Sequence, residues 1–183
     1  MGTTISRAIS AYKEKNTRRV TIVGLDSAGK TTVLYFMRYN KATSTTPTTD
    51  CLVESIRFHT ATLQLWDCGG QDALRPYWRH YMSGSHGVIF VVDSADRARV
   101  EAMQEEFRTV VQDPQLAHAA ILVLANKQDI PGHMGQDEVA ALLGVASACT
   151  AQQRWAVQPA VARTGEGLED GFTWLCANMR PFR

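Results

Sequence analysis

Residues 24–31 read Gly24-Leu25-Asp26-Ser27-Ala28-Gly29-Lys30-Thr31, which satisfies the G-x-x-x-x-G-K-[ST] pattern of a phosphate-binding loop. The stretch follows the apolar run Val20–Val23 and enters a segment of helical period, with Val33, Leu34 and Met37, beginning near Lys30. A strand, a glycine turn and a helix N-terminus in this order surround an anion with backbone N–H groups. The glycines let the backbone come close to it. In that geometry Lys30 reaches the β- and γ-phosphates of a nucleotide and the Thr31 hydroxyl ligates Mg2+. Asp26, Ser27, Ala28, Gly29 and Thr32 complete the expected phosphate cradle.

Outward from this loop, short apolar runs alternate with helical periods as far as the C-terminus. Val20–Val23, Val88–Val92 and Ile121–Leu124 are continuous and rich in Val and Ile, as suits strands of a parallel sheet covered on both faces. Between them, three groups recur at helix spacing: Val100, Met103, Phe107, Val110 and Val111; Val139, Leu142 and Leu143; and Leu168, Phe172, Leu175 and Met179. The alternation predicts an open α/β fold whose ligands sit beyond the carboxyl ends of the strands. Leu52–Phe58 and Thr62–Trp66 are separated only by His59–Ala61, too short for a parallel crossover, so an antiparallel hairpin and a mixed sheet are expected. Pro159 lies in the last strand-like run, Trp155–Val161, and its missing N–H places that run at a sheet edge. No internal repeat is present, and the Thr-rich stretch Thr43–Thr49 around Pro47 reads as a loop.

Composition narrows the function classes. A chain of 183 residues with 45% hydrophobic and 20% charged residues suits one globular domain. Its net charge of +1 lacks the basic excess of a nucleic-acid binder, so no nucleic-acid partner is expected. Cys51, Cys68, Cys149 and Cys176 form no CxxC pair and follow no secretory signal, so neither a zinc site nor a disulfide framework is expected, and a reducing cytosol is. The longest apolar stretches, Ala119–Ala125 and Val88–Val92, fall far short of the ~20 residues of a spanning helix.

Three further stretches narrow the choice of nucleotide and chemistry. Asn126-Lys127-Gln128-Asp129 follows a strand, and a carboxylate there can accept from both the ring N–H and the exocyclic amine of guanine. Adenine does not present that pair, and a site built for such donors discriminates against analogues lacking them. Trp66-Asp67-Cys68-Gly69-Gly70-Gln71 closes the hairpin. Asp67 is placed to hold Mg2+ through a water, Gly70 N–H to meet the γ-phosphate, and Gln71 to orient an attacking water; the alternative is a plain turn. Val161-Ala162-Arg163-Thr164-Gly165-Glu166-Gly167-Leu168 joins the last strand to the last helix. Its backbone can meet the guanine edge at Ala162, or Thr164 to Glu166 can cap the helix.

GLDSAGKTT, WDCGGQD, LRPYWRHY, FVVDSADR, LANKQD and TGEGL, in this order and spacing, resemble an ADP-ribosylation-factor-type (Arf/Arl) small GTPase from about Arg18 to the C-terminus. The resemblance implies an α/β small-GTPase fold with a phosphate loop, in which a six-stranded mixed sheet, mostly parallel with one antiparallel hairpin, is flanked by helices. It implies GTP-bound and GDP-bound states differing in two switch segments, with GTP/GDP and Mg2+ as cofactors. By position, Thr48 corresponds to the switch-one Mg2+ ligand, Asp67 to the outer-sphere carboxylate and Gln71 to the hydrolytic residue. Asn126, Lys127 and Asp129 correspond to the base-holding residues. The activity implied is slow hydrolysis of GTP to GDP and phosphate by a switch that recruits effectors at membranes in vesicle or membrane trafficking. An exchange factor, a GTPase-activating protein and effectors are the implied partners. A monomer is expected, cytoplasmic and peripherally attached to Golgi or other endomembranes.

The sequence departs from that family after Pro47-Thr48, where an aliphatic residue and Gly-Phe-Asn-Val-Glu are usual and this chain has Thr49-Asp50-Cys51-Leu52-Val53-Glu54. The family's exposed aromatic trio is represented by Cys51, Trp66 and Tyr81, with one ring missing. Asp50 brings a carboxylate close to an anion site, which motivates a second reading, a nucleotide-binding interaction protein of the same fold with impaired switching. A nucleotide or small-molecule kinase is a more distant third.

Residues 1–17 form the expected N-terminal amphipathic segment and 18–183 the GTPase domain. Met1-Gly2-Thr3-Thr4-Ile5-Ser6 fits the myristoylation pattern on Gly2. Ile5, Ala8, Ile9 and Tyr12 make a narrow apolar stripe. One acyl chain anchors marginally, and Lys13, Lys15, Arg18 and Arg19 add about 1 kcal/mol each near anionic lipid, so reversible membrane contact is expected.

Overall fold

The structure, a computed structural model, describes residues 17–41, 45–46 and 48–180. The expectations for Gly2 and for the stripe Ile5, Ala8, Ile9 and Tyr12 lie outside the described residues.

An apolar run without a polar break can satisfy its side chains only if both strand faces are covered, and this is how the central strands are placed. In β4 (Gly87–Asp93) and β5 (Ala120–Asn126), Val88, Phe90, Val92, Ile121, Val123 and Ala125 enter one apolar layer. Ile89, Val91, Ala120, Leu122 and Leu124 enter the other. The remaining strands are β1 (Thr17–Val23), β2 (Cys51–Phe58), β3 (Ala61–Cys68) and β6 (Arg154–Pro159). The sheet runs β2-β3-β1-β4-β5-β6, parallel throughout except for the β2–β3 hairpin, as the sequence predicts.

Among the described residues the α-helices are α1 (Lys30–Tyr39), α2 (Trp78–Met82), α3 (Val100–Val111), α4 (Gln136–Leu143), α5 (Val145–Ala148) and α6 (Leu168–Asn178). The apolar stripe of α3, with Met103, Phe107, Val110 and Val111, covers the first layer together with Val139 and Leu143 of α4. Val33 and Leu34 of α1 and Leu168, Phe172 and Leu175 of α6 cover the second. No helix among the described residues is long and apolar enough to cross a membrane.

Each strand has a limit that differs from the hydropathy reading, and two of these differences have a plain cause. β1 begins at Thr17 rather than Val20, because Thr17, Arg18 and Arg19 are half-buried and pair with Thr62, Leu63 and Gln64 of β3; ladder pairing, not hydrophobicity, extends it. β6 is an edge strand, as Pro159 requires, but it stops there. Val161 leaves the ladder and pairs with the chain's own return, its N–H donating to Glu166 O at 3.0 Å. Gly167, with φ 74°, precedes α6 and no side chain caps that helix, so Thr164 to Glu166 form a turn rather than a cap.

Candidate functional site

The loops after β1, β3, β5 and β6 meet beyond the carboxyl ends of the strands and, with residues 45, 46 and 48, line a cleft of about 540 Å3. Of the phosphate-loop residues read from sequence, Asp26, Ser27, Gly29, Lys30, Thr31 and Thr32 line it. Ala28 is buried behind them, and its carbonyl accepts from Asn126 Nδ2 at 2.8 Å. Gly29 sits at φ 98° before an α1 that has no side-chain cap, and a Cβ there would lie 2.4 Å from Asn126 Nδ2. The position needs glycine, and the helix N-terminus is left free for an anion. Lys30 is buried, with Nζ donating to Leu25 O at 2.8 Å. Burial lowers its pKa to about 8, against the attraction of Asp67 and Asp26.

Three oxygens converge beside Lys30. Thr31 Oγ1 donates to Asp67 Oδ2 at 2.6 Å, and Thr48 Oγ1 stands 3.0 Å from Thr31 Oγ1 and 3.3 Å from Asp67 Oδ2. Asp67 is fully buried and its Oδ1 has no hydrogen-bond partner among the described residues. Burial raises its pKa, while the Thr31 hydrogen bond and the Lys30 ammonium oppose the rise. Two hydroxyls and a carboxylate with an unpartnered oxygen are the hard donor set that suits Mg2+.

The chain after Asp67 is pinned by its carbonyls. Gly69 O accepts from Trp78 Nε1 at 2.8 Å, and Gly70 O accepts from Asp26 N and Arg75 Nε, each at 3.0 Å. A Cβ on Gly70 would lie 2.3 Å from Lys30 Nζ and 2.5 Å from Asp26 N, so only glycine leaves the cradle open. Gln71 is exposed and lines the cleft next to it.

At the opposite end Asn126 acts as a tie: besides holding Ala28 O, its Oδ1 accepts from Ala162 N at 2.9 Å. Lys127 lines the cleft with its ammonium on Asp93 at 2.5 Å. Asp129 lines the cleft with its carboxylate partly exposed and 3.8 Å from Arg163. Gln128 faces away, its amide held by Ser94 Oγ and Met134 O. All residues read as nucleotide-binding thus lie in this cleft or directly behind it.

Sequence reading missed three contributions. Thr45 and Thr46 line the cleft, although their composition marked only a loop. Ile130 supplies an apolar wall one residue past Asp129. Asp26 is held by Arg99 at 2.7 Å and Arg75 at 3.6 Å, contacts that no spacing along the chain announces.

One expectation is overturned. Asp50 does not line the cleft: its backbone carbonyl accepts from Gly69 N at 3.0 Å, and its carboxylate accepts from the Tyr81 hydroxyl at 2.7 Å. Pairing at the root of the hairpin points the side chain toward α2, away from any phosphate. Because the carboxylate favours the protonated phenol, Tyr81 is pushed up to about 12. Asp50→Asn should therefore bring Tyr81 back toward about 10 in an ultraviolet titration, while the ratio of GTP to GDP affinity stays within about twofold of the parent. A tenfold change in that ratio would return Asp50 to the phosphate site.

The chain matches the ADP-ribosylation factor family over residues 5–179. Among solved structures it is similar to the Arl6 BBS3 small GTPase from Trypanosoma brucei, whose structure contains the nucleotide analogue GppNp. The two are 25% identical, with a TM-score of 0.81, over 90% of this chain and 99% of that one.

Proposed function

This chain belongs to the ADP-ribosylation factor family of small GTPases, and from that premise we propose that it is a GTP-dependent switch that hydrolyses GTP slowly and recruits effectors to membranes in vesicle or membrane traffic. The observation that carries the reading is the cleft itself, with Thr31, Thr48 and Asp67 gathered at one end and Asp129 at the other. In this account the N-terminus of α1 and Lys30 bind the phosphates, and Asp129 accepts from the guanine edge. Asn126 keeps the loops that carry Ala28 and Ala162 at a fixed separation. Thr31 and Thr48 would ligate Mg2+ and Asp67 would hold it through water; when bound, the ion would supply neutralising charge to the nucleotide phosphates. Gln71 orients the attacking water.

Slow turnover is part of this proposal, and the placement of two arginines supports it. Arg75 and Arg99, which both reach the phosphate loop at Asp26, are spent on Asp26, Gly70 O and Glu106. A GTPase-activating partner is proposed to supply the missing cation, worth about 10³–10⁵ in rate. Reversible membrane attachment through an acylated Gly2 and the basic N-terminal segment is part of the same proposal. The reading with impaired switching loses its motive once Asp50 turns to Tyr81.

Asp129→Asn tests the base assignment. An amide is part donor where guanine needs a pure acceptor, so preference for guanosine over xanthosine diphosphate should fall by about a hundredfold in competition binding. An unchanged preference would mean that Asp129 does not read the base.

A further inference from the structure

Cys51 opens β2, Cys68 closes β3, and the two are direct partners in the antiparallel ladder. Their sulfurs lie 3.5 Å apart. Directly opposed residues of antiparallel strands have Cα atoms about 4.5–5.5 Å apart, within the range of about 4.4–6.8 Å that a disulfide spans. Bond formation needs the sulfurs to close by roughly 1.5 Å, to about 2.05 Å, which side-chain rotation can supply. Cys51 is half-buried. Cys51 is thus partly open to solvent, and Cys68, though buried, forms part of the wall of a second cavity of about 270 Å3 beside Asp50, Leu74 and Tyr81.

We propose that Cys51 and Cys68 are a dithiol that hydrogen peroxide oxidises to a disulfide, and that this bond slows nucleotide release. Cys51 Sγ takes one peroxide oxygen to become a sulfenic acid, and the first water leaves. Cys68 Sγ then attacks that sulfur, the S–O bond breaks, and the departing hydroxide leaves with the thiol proton as the second water. Two thiols lose two electrons and two protons, and one peroxide is reduced to two waters. Disulfides in reducing compartments are transient and regulatory rather than structural, so the oxidised form is a temporary state.

The location gives the bond a consequence. Thr48 lies three residues before Cys51, and Gly69 follows Cys68 with its N–H already on Asp50 O. A covalent tie here fixes the two segments where they leave the hairpin, one carrying Thr48 and the other Gly70 and Gln71. In this proposal a bound nucleotide leaves as Thr48 parts from Thr31 and Asp67, contacts that the tie would hold closed. This second step rests on the function proposed above, whereas the bond itself rests on the hairpin register.

The test treats reduced full-length protein, loaded with fluorescent GDP, with hydrogen peroxide, followed by alkylation and intact-mass analysis. The expected product has lost two hydrogens, about 2 Da, yields on digestion a disulfide-linked pair of peptides carrying Cys51 and Cys68, and keeps Cys149 and Cys176 alkylatable. Release of the fluorescent GDP should slow by about fivefold, return with dithiothreitol, and stay at the reduced rate in Cys51→Ser and in Cys68→Ser. Oxygen added to Cys51 while Cys68 remains alkylatable, or no change in mass, overturns the dithiol. Linked protein that releases GDP at the reduced rate overturns its effect on the nucleotide. Reduced protein that never binds GDP sinks the proposed function and the release effect with it, while the mass reading still decides the bond.

Discussion

Lys30→Ala is expected to weaken GTP and GDP alike by about two orders of magnitude, because a charge-assisted hydrogen bond contributes about 1.5–3 kcal/mol and the β-phosphate is common to both ligands. The structure supports an equal loss. Nζ is buried between Leu25 O and the Gly70 backbone, at the root of the phosphate loop, not on a mobile segment that only a triphosphate would meet. Burial already pulls its pKa down to about 8, so this ammonium lacks solvation that an anion can restore. Equilibrium titration with each nucleotide checks the point. Unaltered affinities would remove Lys30 from the phosphate site, and loss confined to GTP would restrict it to the γ-phosphate.

Gln71→Leu should cut single-turnover GTP hydrolysis, measured with an activating partner, by about 10²–10³ and leave GTP affinity within about threefold. An amide that orients water acts mainly in the transition state, so its loss falls on the rate. The backbone at this position is independently fixed: Gln71 O accepts from Leu74 N at 2.8 Å, and Gly70 before it is held by Asp26 and Arg75. Leucine therefore removes the amide without moving the loop. A variant that hydrolyses GTP at the parent rate would mean that Gln71 takes no part in the chemistry.

Much of this molecule is legible in sequence because the signals are local and the physics leaves little choice. The runs that become β4 and β5 are apolar at every central position, and only a strand covered on both faces accommodates them. Gly29 is fixed by its backbone conformation and by the approach of Asn126, so the phosphate loop declares itself by glycine spacing. The start of β1 is not legible, since Thr17 to Arg19 are polar and owe their strand state to partners in β3. Nor is the direction of Asp50, which the Gly69 hydrogen bond decides. Asp26 meets Arg99 across 73 positions of chain, and Cys51 meets Cys68 only because the hairpin register sets them opposite each other. Contacts of this kind follow from the assembled sheet, and no periodicity announces them.

The central claim is that this cleft holds a guanine nucleotide. The most direct measurement equilibrates the full chain with equimolar GTP and ATP in the presence of Mg2+, removes free nucleotide, denatures the protein and chromatographs what was retained. Retention of GTP or its product GDP in near-stoichiometric amount, with ATP disfavoured by about a thousandfold or more, is the predicted result. Adenine nucleotide retained in comparable amount, or no nucleotide retained at all, would contradict it.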